Sequence, residues 1–405
     1  MTATVRAWAE LLRISALFTV PGDALAGAAA IGRRPGRGTA LAVGASLCLY
    51  EAGMALNDWA DRDEDAIDRP HRPIPSGRIT PGAALTAAGA LTAAGLTLAA
   101  RAGRPALTVA TGLAATVWAY DLHLKHTQAG PAAMATARAL DLLLGATATW
   151  GAGAKPGHSG AGALPEPQST GSGSGTRMGT APAAAAGPVR APAPMPGPAG
   201  KRRRGPIARL VGRGGRAMAK AAGDAQPRQG EPSRQAALPL RAALPAAALL
   251  GAHTYAVTAV SRHEAQGGST VAPLSALAAV LALGATAARE QRGSADVTPV
   301  PGRGASGGSH RPVPGASAPA ATPASPRILL TALTGAYLRT AAEPLLHATL
   351  NPSPPLTQRA VGSGIRAMIP LQAALAARAG AAGTGLAVMG LVPLARTLAR
   401  KVSPT

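Results

Sequence analysis

The run NDWADRDED, Asn57 to Asp65, with its continuation AIDRPHRPIPSGRI to Ile79, decides how the rest of the chain is read. Six acids (Asp58, Asp61, Asp63, Glu64, Asp65 and Asp68) lie within eleven residues and make up a third of the 18 acids in the protein. Acids at this density repel one another unless cations compensate them. On a helix, Asp58, Asp61 and Asp65 recur at spacings of three and four and share one face, where a divalent ion can sit. Oxygen-only ligands point to Mg²⁺, which keeps several waters and is completed by substrate phosphates. Arg69, Arg72 and Arg78 follow at once and supply charge to grip a diphosphate. A solvated loop whose acids and arginines only pair with one another is the other reading of the same residues.

Immediately before this run lies an apolar stretch, residues 38–57, and about 20 such residues cross a bilayer. Further stretches of that length can be drawn at 10–32, 81–101, 104–121, 131–152, 236–260, 270–288, 326–348 and 363–398. The last is long enough for one broken helix or two, with Pro370 and Gly383 as possible breaks. The expectation is an all-α, multi-pass membrane bundle of about nine helices. Composition agrees: only 14% of the residues are charged, against roughly 25% in soluble domains. The 405 residues include a single Phe, four Trp and four Tyr, so packing has to rest on small side chains, as it does between membrane helices.

The formal charge of +22 first suggests nucleic acid, but its location argues otherwise. Residues 153–236 carry thirteen Lys and Arg against three acids, and residues 289–327 carry five Arg against two. Both stretches are rich in Pro, Gly and Ser and read as disordered insertions, at 153–235 and 289–325. The membrane parts are then 1–152, with the acidic run, 236–288, and 326–405. No specific nucleic acid is expected; the cluster Lys201 to Arg204 suits solvation or an anionic lipid surface. Cys48, the single cysteine, excludes an intrachain disulfide, and the N-terminus shows no removable signal peptide.

With alternating spans, the links after the second, fourth and sixth helices emerge at one membrane face. They hold Asn57 to Arg78, Tyr120 to Gly130 and Ser261 to Gly268, which is nearly all the chemistry of the chain.

The order NDxxDxxxD, together with DRPHRPIPSGRI, closely resembles the first signature of the UbiA superfamily of intramembrane prenyltransferases. The resemblance implies a helical bundle in the cell membrane whose cavity opens to lipid. It also implies Mg²⁺ bridging acidic motifs to a prenyl diphosphate, and an acceptor that captures the allylic cation. By position, Asp58, Asp61 and Asp65 are implied to bind metal, with Asp58 and Asp61 catalytic, Asn57 orienting the cluster and Arg69 and Arg72 on the diphosphate. Tyr120 and Lys125, within YDLHLKHT, look like the Tyr/Lys segment of the family, so Lys125 is expected to pair with phosphate in a catalytic role. An interfacial Tyr with a snorkelling Lys is the alternative.

The third link departs from the family pattern. Where a second Asp-rich motif is expected, the chain reads SRHEAQGG, and Glu264 is the only acid between Glu231 and Glu290. Glu264 is the candidate second metal ligand and Arg262 a diphosphate contact; an ordinary helix-end acid is the other reading. Arg13, Tyr120, His253 and Tyr255 are candidates to line the cavity or the acceptor pocket. The altered third link keeps open a non-catalytic UbiA-like protein that binds an isoprenoid diphosphate or serves as a pathway partner.

Overall fold

A computed structural model of the chain describes residues 3–13, 18–153, 231–264, 268–289 and 326–402. The described residues are helical without strands. Met1–Lys155 and Pro232–Thr405 together form one compact unit. The expected insertions at 153–235 and 289–325 fall almost wholly outside the described residues, although a helix already begins at Glu231, ahead of the boundary expected at 236.

The first expected span is two helices, α1 (Ala3–Leu11) and α2 (Val20–Ala30). Pro21 lies in the first turn of α2, where a missing N–H costs nothing, and the residue before a proline disfavours continued helix. Between them Arg13 adopts a left-handed φ of 47°, the only positive φ of a non-glycine among the described residues. At this break Arg13 reaches the end of the helix that follows α2.

That helix is α3 (Arg37–Ala60), whose 24 residues reach about 36 Å, enough to cross a bilayer. It runs into a short α4 (Arg62–Asp68), whose first turn carries Asp63, Glu64 and Asp65, where acids suit the positive end of the helix dipole. A loop with three prolines follows, and Thr80 caps α5 (Pro81–Ala102) by accepting from the Ala83 N–H at 3.3 Å. Gly103, at φ 130°, turns the chain into α6 (Arg104–Ala119), which continues as a π-helical turn, Tyr120–Leu124. The rest are α7 (Gly130–Gly153), α8 (Glu231–Ser261), α9 (Val271–Ala288), α10 (Pro326–Leu350), α11 (Pro354–Arg378) and α12 (Ala382–Val402). The C-terminal stretch is therefore two helices. Pro370 stays inside α11, and the turn comes at Gly380, with φ 83°.

Among the described residues, five helices are long and apolar enough to cross a membrane: α3, α5, α8 from Pro239, α9 and α11. Their burial runs against their hydropathy. α9, with mean hydropathy 1.9, is only 28% buried in its most apolar window, whereas α11, at 1.2, is 78% buried. That order fits a bundle in lipid, where the outer helices carry the apolar surface and the central one can afford Ser363 and Gln372 in its interior.

Close packing follows from the small residues. At the α2–α7 crossing, a Cβ on Gly27 would meet the Leu142 carbonyl and the Ala146 nitrogen, and one on Gly145 would meet the backbone of Ala24. Backbone cannot yield as a side-chain tip can. Gly145→Ala is therefore expected to cost about 1–3 kcal/mol or more. Gly335→Ala on α10, where nothing lies within 4 Å, should be near neutral. Thermal unfolding of the two variants in detergent checks the difference.

Candidate functional site

Asn57, Asp58 and Asp61 occupy the last turn of α3 and its exit. The helix axis breaks at Asp61, which has φ −88° and ψ 5° while its N–H still bonds the Asn57 carbonyl at 2.9 Å. Because of the break the three aspartates do not act as one face. Asp58, 4% exposed, accepts from Arg13 Nη2 at 3.1 Å and from Arg72 Nη1 at 3.4 Å. Asp65, 1% exposed, takes Arg72 Nη1 at 2.7 Å, and Arg69 lies 3.5 Å away. Arg72 thus bridges two buried carboxylates, and Asp61 turns the other way.

Asp61 meets the second link. Lys125 forms an ion pair with Asp61 Oδ1 and lies 3.4 Å from Asn57 Oδ1, and its side chain is only 9% exposed. The placement comes from the π turn, in which the Lys125 N–H bonds the Tyr120 carbonyl five residues back. The extra residue in that turn re-aims the side chains after it, a common use of π bulges at functional sites. Asp121 in the same turn is buried, and the close approach of α6 to α3 just before it falls at Gly53, where a Cβ would stand 3.0 Å from Val117 Cγ1. Burial raises the pKa of the partly buried Tyr120 above the usual tyrosine value.

Arg78 does different work. Its guanidinium holds both carboxylate oxygens of Glu10, at 2.6 and 3.1 Å, and the His71 carbonyl at 2.5 Å, so it fastens α1 to the loop after α4. The Arg78 hydrogen bond in turn lowers the Glu10 pKa below the ordinary glutamate value.

The third link touches the second link and the connection between α10 and α11. Arg262 donates to the Thr127 carbonyl, and the Gly268 N–H donates to the Pro352 carbonyl at 2.8 Å. Glu264 is partly buried, which raises its pKa, and it forms no ion pair among the described residues. His253 is fully enclosed, with Nδ1 3.0 Å from the Tyr337 hydroxyl and Nε2 2.9 Å from the Gly364 carbonyl. Tyr255, two residues on, is 49% exposed.

The structure therefore gathers Arg13, Asn57, Asp58, Asp61, Asp65, Arg69, Arg72 and Lys125 into one polar cluster. Glu264, His253 and Tyr255 stand outside its ion pairs. The donor atoms decide whether a metal fits. Asp58 and Asp65 are engaged by guanidinium groups, while Asp61, Glu64 and His126 bring three ligand atoms within 4.8 Å of one another. These residues fit a divalent ion. Glu64 and His126 were not singled out in the sequence, although both adjoin residues that were.

Residues 15–164 match the model of the UbiA prenyltransferase family. In this segment the chain is similar to that family. The matched residues hold the whole cluster except Arg13, while the third link lies outside them. The digeranylgeranylglyceryl phosphate synthase of Methanopyrus kandleri is 35% identical over 128 residues, covering 30% of this chain and 45% of that protein. The bacteriochlorophyll synthase 33 kDa chain of Rhodobacter capsulatus is 73% identical over 26 residues, 6% of this chain and 9% of that one. The chain thus spans less than half the length of the curated relatives it matches. A UbiA homologue from Aeropyrum pernix K1, solved in its apo form, aligns over 89% of this chain and 96% of its own at 12% identity and a TM-score of 0.47.

Proposed function

We propose that this chain is a Mg²⁺-dependent UbiA-type prenyltransferase of the cell membrane that moves a prenyl group from a polyprenyl diphosphate to an aromatic or lipid-like acceptor. The observation that supports this reading is the convergence of Arg13, Arg72 and Lys125 from three separate segments on the carboxylates of Asp58, Asp61 and Asp65. A relative named for digeranylgeranylglyceryl phosphate supports an isoprenyl donor.

In this reading the cations now held by the aspartates supply charge-assisted hydrogen bonds to the diphosphate oxygens, Arg72 and Arg69 as planar forks and Lys125 as a point charge. Divalent metal, when bound, neutralises charge developing on the leaving diphosphate. Asp58 and Asp61 hold these cations and would also hold the metal, and Asn57 accepts from Lys125. The apolar helices below receive the isoprenoid tail and keep water from the allylic cation.

The test is consumption of geranylgeranyl diphosphate by the purified protein with Mg²⁺ and a panel of aromatic and lipid-alcohol acceptors. Turnover supports the transferase. Binding without consumption across the panel favours the second reading, a non-catalytic isoprenoid-diphosphate binder, which the isolation of Glu264 from the ion-paired cluster supports.

A further inference from the structure

At the acidic end of the bundle, Arg13, Arg72, Arg78 and Lys125 have carboxylate partners within the protein. The opposite end is built differently. Arg33, Arg34 and Arg37 mark the passage from α2 to α3, Arg101 and Arg104 flank the turn from α5 to α6, and Arg241 stands near the start of the apolar part of α8, and all six are exposed. None of them forms an ion pair among the described residues, where Glu231 is the one acid at this end. Helix stability does not explain them either. Arg37 and Arg104 are the first residues of α3 and α6, at the positive end of the helix dipole, where a cation is disfavoured. Trp150 marks the depth: Arg33 lies over its ring at 4.9 Å, and membrane proteins place tryptophan at headgroup level.

Within this basic end is a cleft that holds an unbalanced cation. Ala30 of α2, Ala242 and Ala246 of α8, and Leu375 and Arg378 of α11 line it. It lies away from the acidic cluster, because Ser261 closes α8 at the third link and Pro352, just before α11, bonds Gly268 there. Arg378 Nε is buried without a hydrogen-bond acceptor, and no carboxylate among the described residues pairs with the guanidinium. A cation withdrawn from water in this way needs an anion. The guanidinium fork matches phosphate, and basic pockets between spanning helices seat phospholipid headgroups. We propose that the cleft at Arg378 binds the phosphate of an anionic glycerophospholipid, with Arg34 and Arg241, close in sequence to its lining residues, adding charge at the rim. The site is remote from the proposed transferase chemistry and does not rest on it.

The test titrates phosphatidylglycerol or phosphatidylcholine into the full-length protein in detergent and reads retained lipid by native mass spectrometry, with melting temperature alongside. Phosphatidylglycerol should bind at least about 10-fold more tightly and should raise the melting temperature, since each arginine near an anionic headgroup contributes roughly fivefold. Arg378→Gln should weaken that binding by about 10-fold, the contribution of a hydrogen bond to a charged group. Arg378→Lys, which keeps the charge and loses the fork, should fall between the two. Arg34→Gln combined with Arg241→Gln should also weaken it, whereas Arg359→Gln, an exposed cation nearer the other end of α11, should leave it unchanged. Equal affinity for the two lipids overturns the inference. So does a preference undiminished in Arg378→Gln, because attraction to the basic face alone needs no cleft. If Arg378→Gln does not fold, the rim variant decides, and full affinity in it counts against the site. Complete displacement of the lipid by millimolar inorganic phosphate would show a free-anion site and sink the lipid assignment. Prenyl transfer, present or absent, bears on none of these outcomes.

Discussion

Asp58→Ala and Asp61→Ala should each abolish Mg²⁺-dependent binding of geranylgeranyl diphosphate while leaving the protein inserted and folded. The two residues act through different partners. Asp58 gathers Arg13 and Arg72 from opposite sides, and Asp61 holds Lys125. In the proposed function either carboxylate serves the metal, and its removal also frees cations, so weak binding that no longer depends on metal should remain. The diagnostic quantity is therefore the difference in affinity with and without Mg²⁺, measured on protein reconstituted in nanodiscs. Where turnover is measured, loss of one preorganised electrostatic group should lower it by roughly 10²–10³-fold. Asp58→Asn keeps the shape and part of the hydrogen bonding of this buried position and controls for unfolding. Mg²⁺-dependent binding that persists in both alanine variants would refute the assignment.

The acidic run was legible because its meaning is local: charge density, spacing and the adjoining apolar span all sit within about forty residues. The pairing pattern inside it was not. A three-and-four spacing places Asp58, Asp61 and Asp65 on one face only if the helix continues, and the break at Asp61 sends Asp61 to Lys125 while Asp58 and Asp65 share Arg72. No residue type announces that break. The π turn at Tyr120–Leu124 is equally silent in the sequence, and with it the placing of His126. By contrast, the split of the first span had a visible cause in Pro21, which a search for apolar length passes over. Gly380, which ends α11, was likewise one glycine among 50 in the chain.

Arg138→Met should be among the most destabilising single substitutions in the bundle, because its partners are farther away in sequence than spacing suggests. The separation of three from Asp141 predicts a local pair, but that contact is 3.9 Å, whereas Arg138 Nη1 lies 2.7 Å from Asp23 Oδ2 on α2. Arg138 Nη2 also donates to Thr19 Oγ1 at 2.8 Å, and Gln372 Nε2 on α11 donates to Asp23 Oδ1 at 2.7 Å. Ser46 on α3 closes the network on Asp141. Four helices thus meet at one guanidinium between two carboxylates, with Asp23 fully buried. Taking away the cation leaves buried acids without a counter-charge, and breaking a buried pair in this way costs about 3–5 kcal/mol. Asp23→Asn in the same chain should recover part of that loss, since the amide removes the negative charge and can still accept from Gln372. Unfolding in detergent of the single and double variants measures the recovery, and a double variant no more stable than Arg138→Met would show that the network holds the helices by shape and not by charge. If recovery is found, the short helix α2, which falls well below the length of a full span, is fixed in the bundle by an ion pair at membrane depth. Arg13, seven residues before it, then reaches Asp58 from an anchored base.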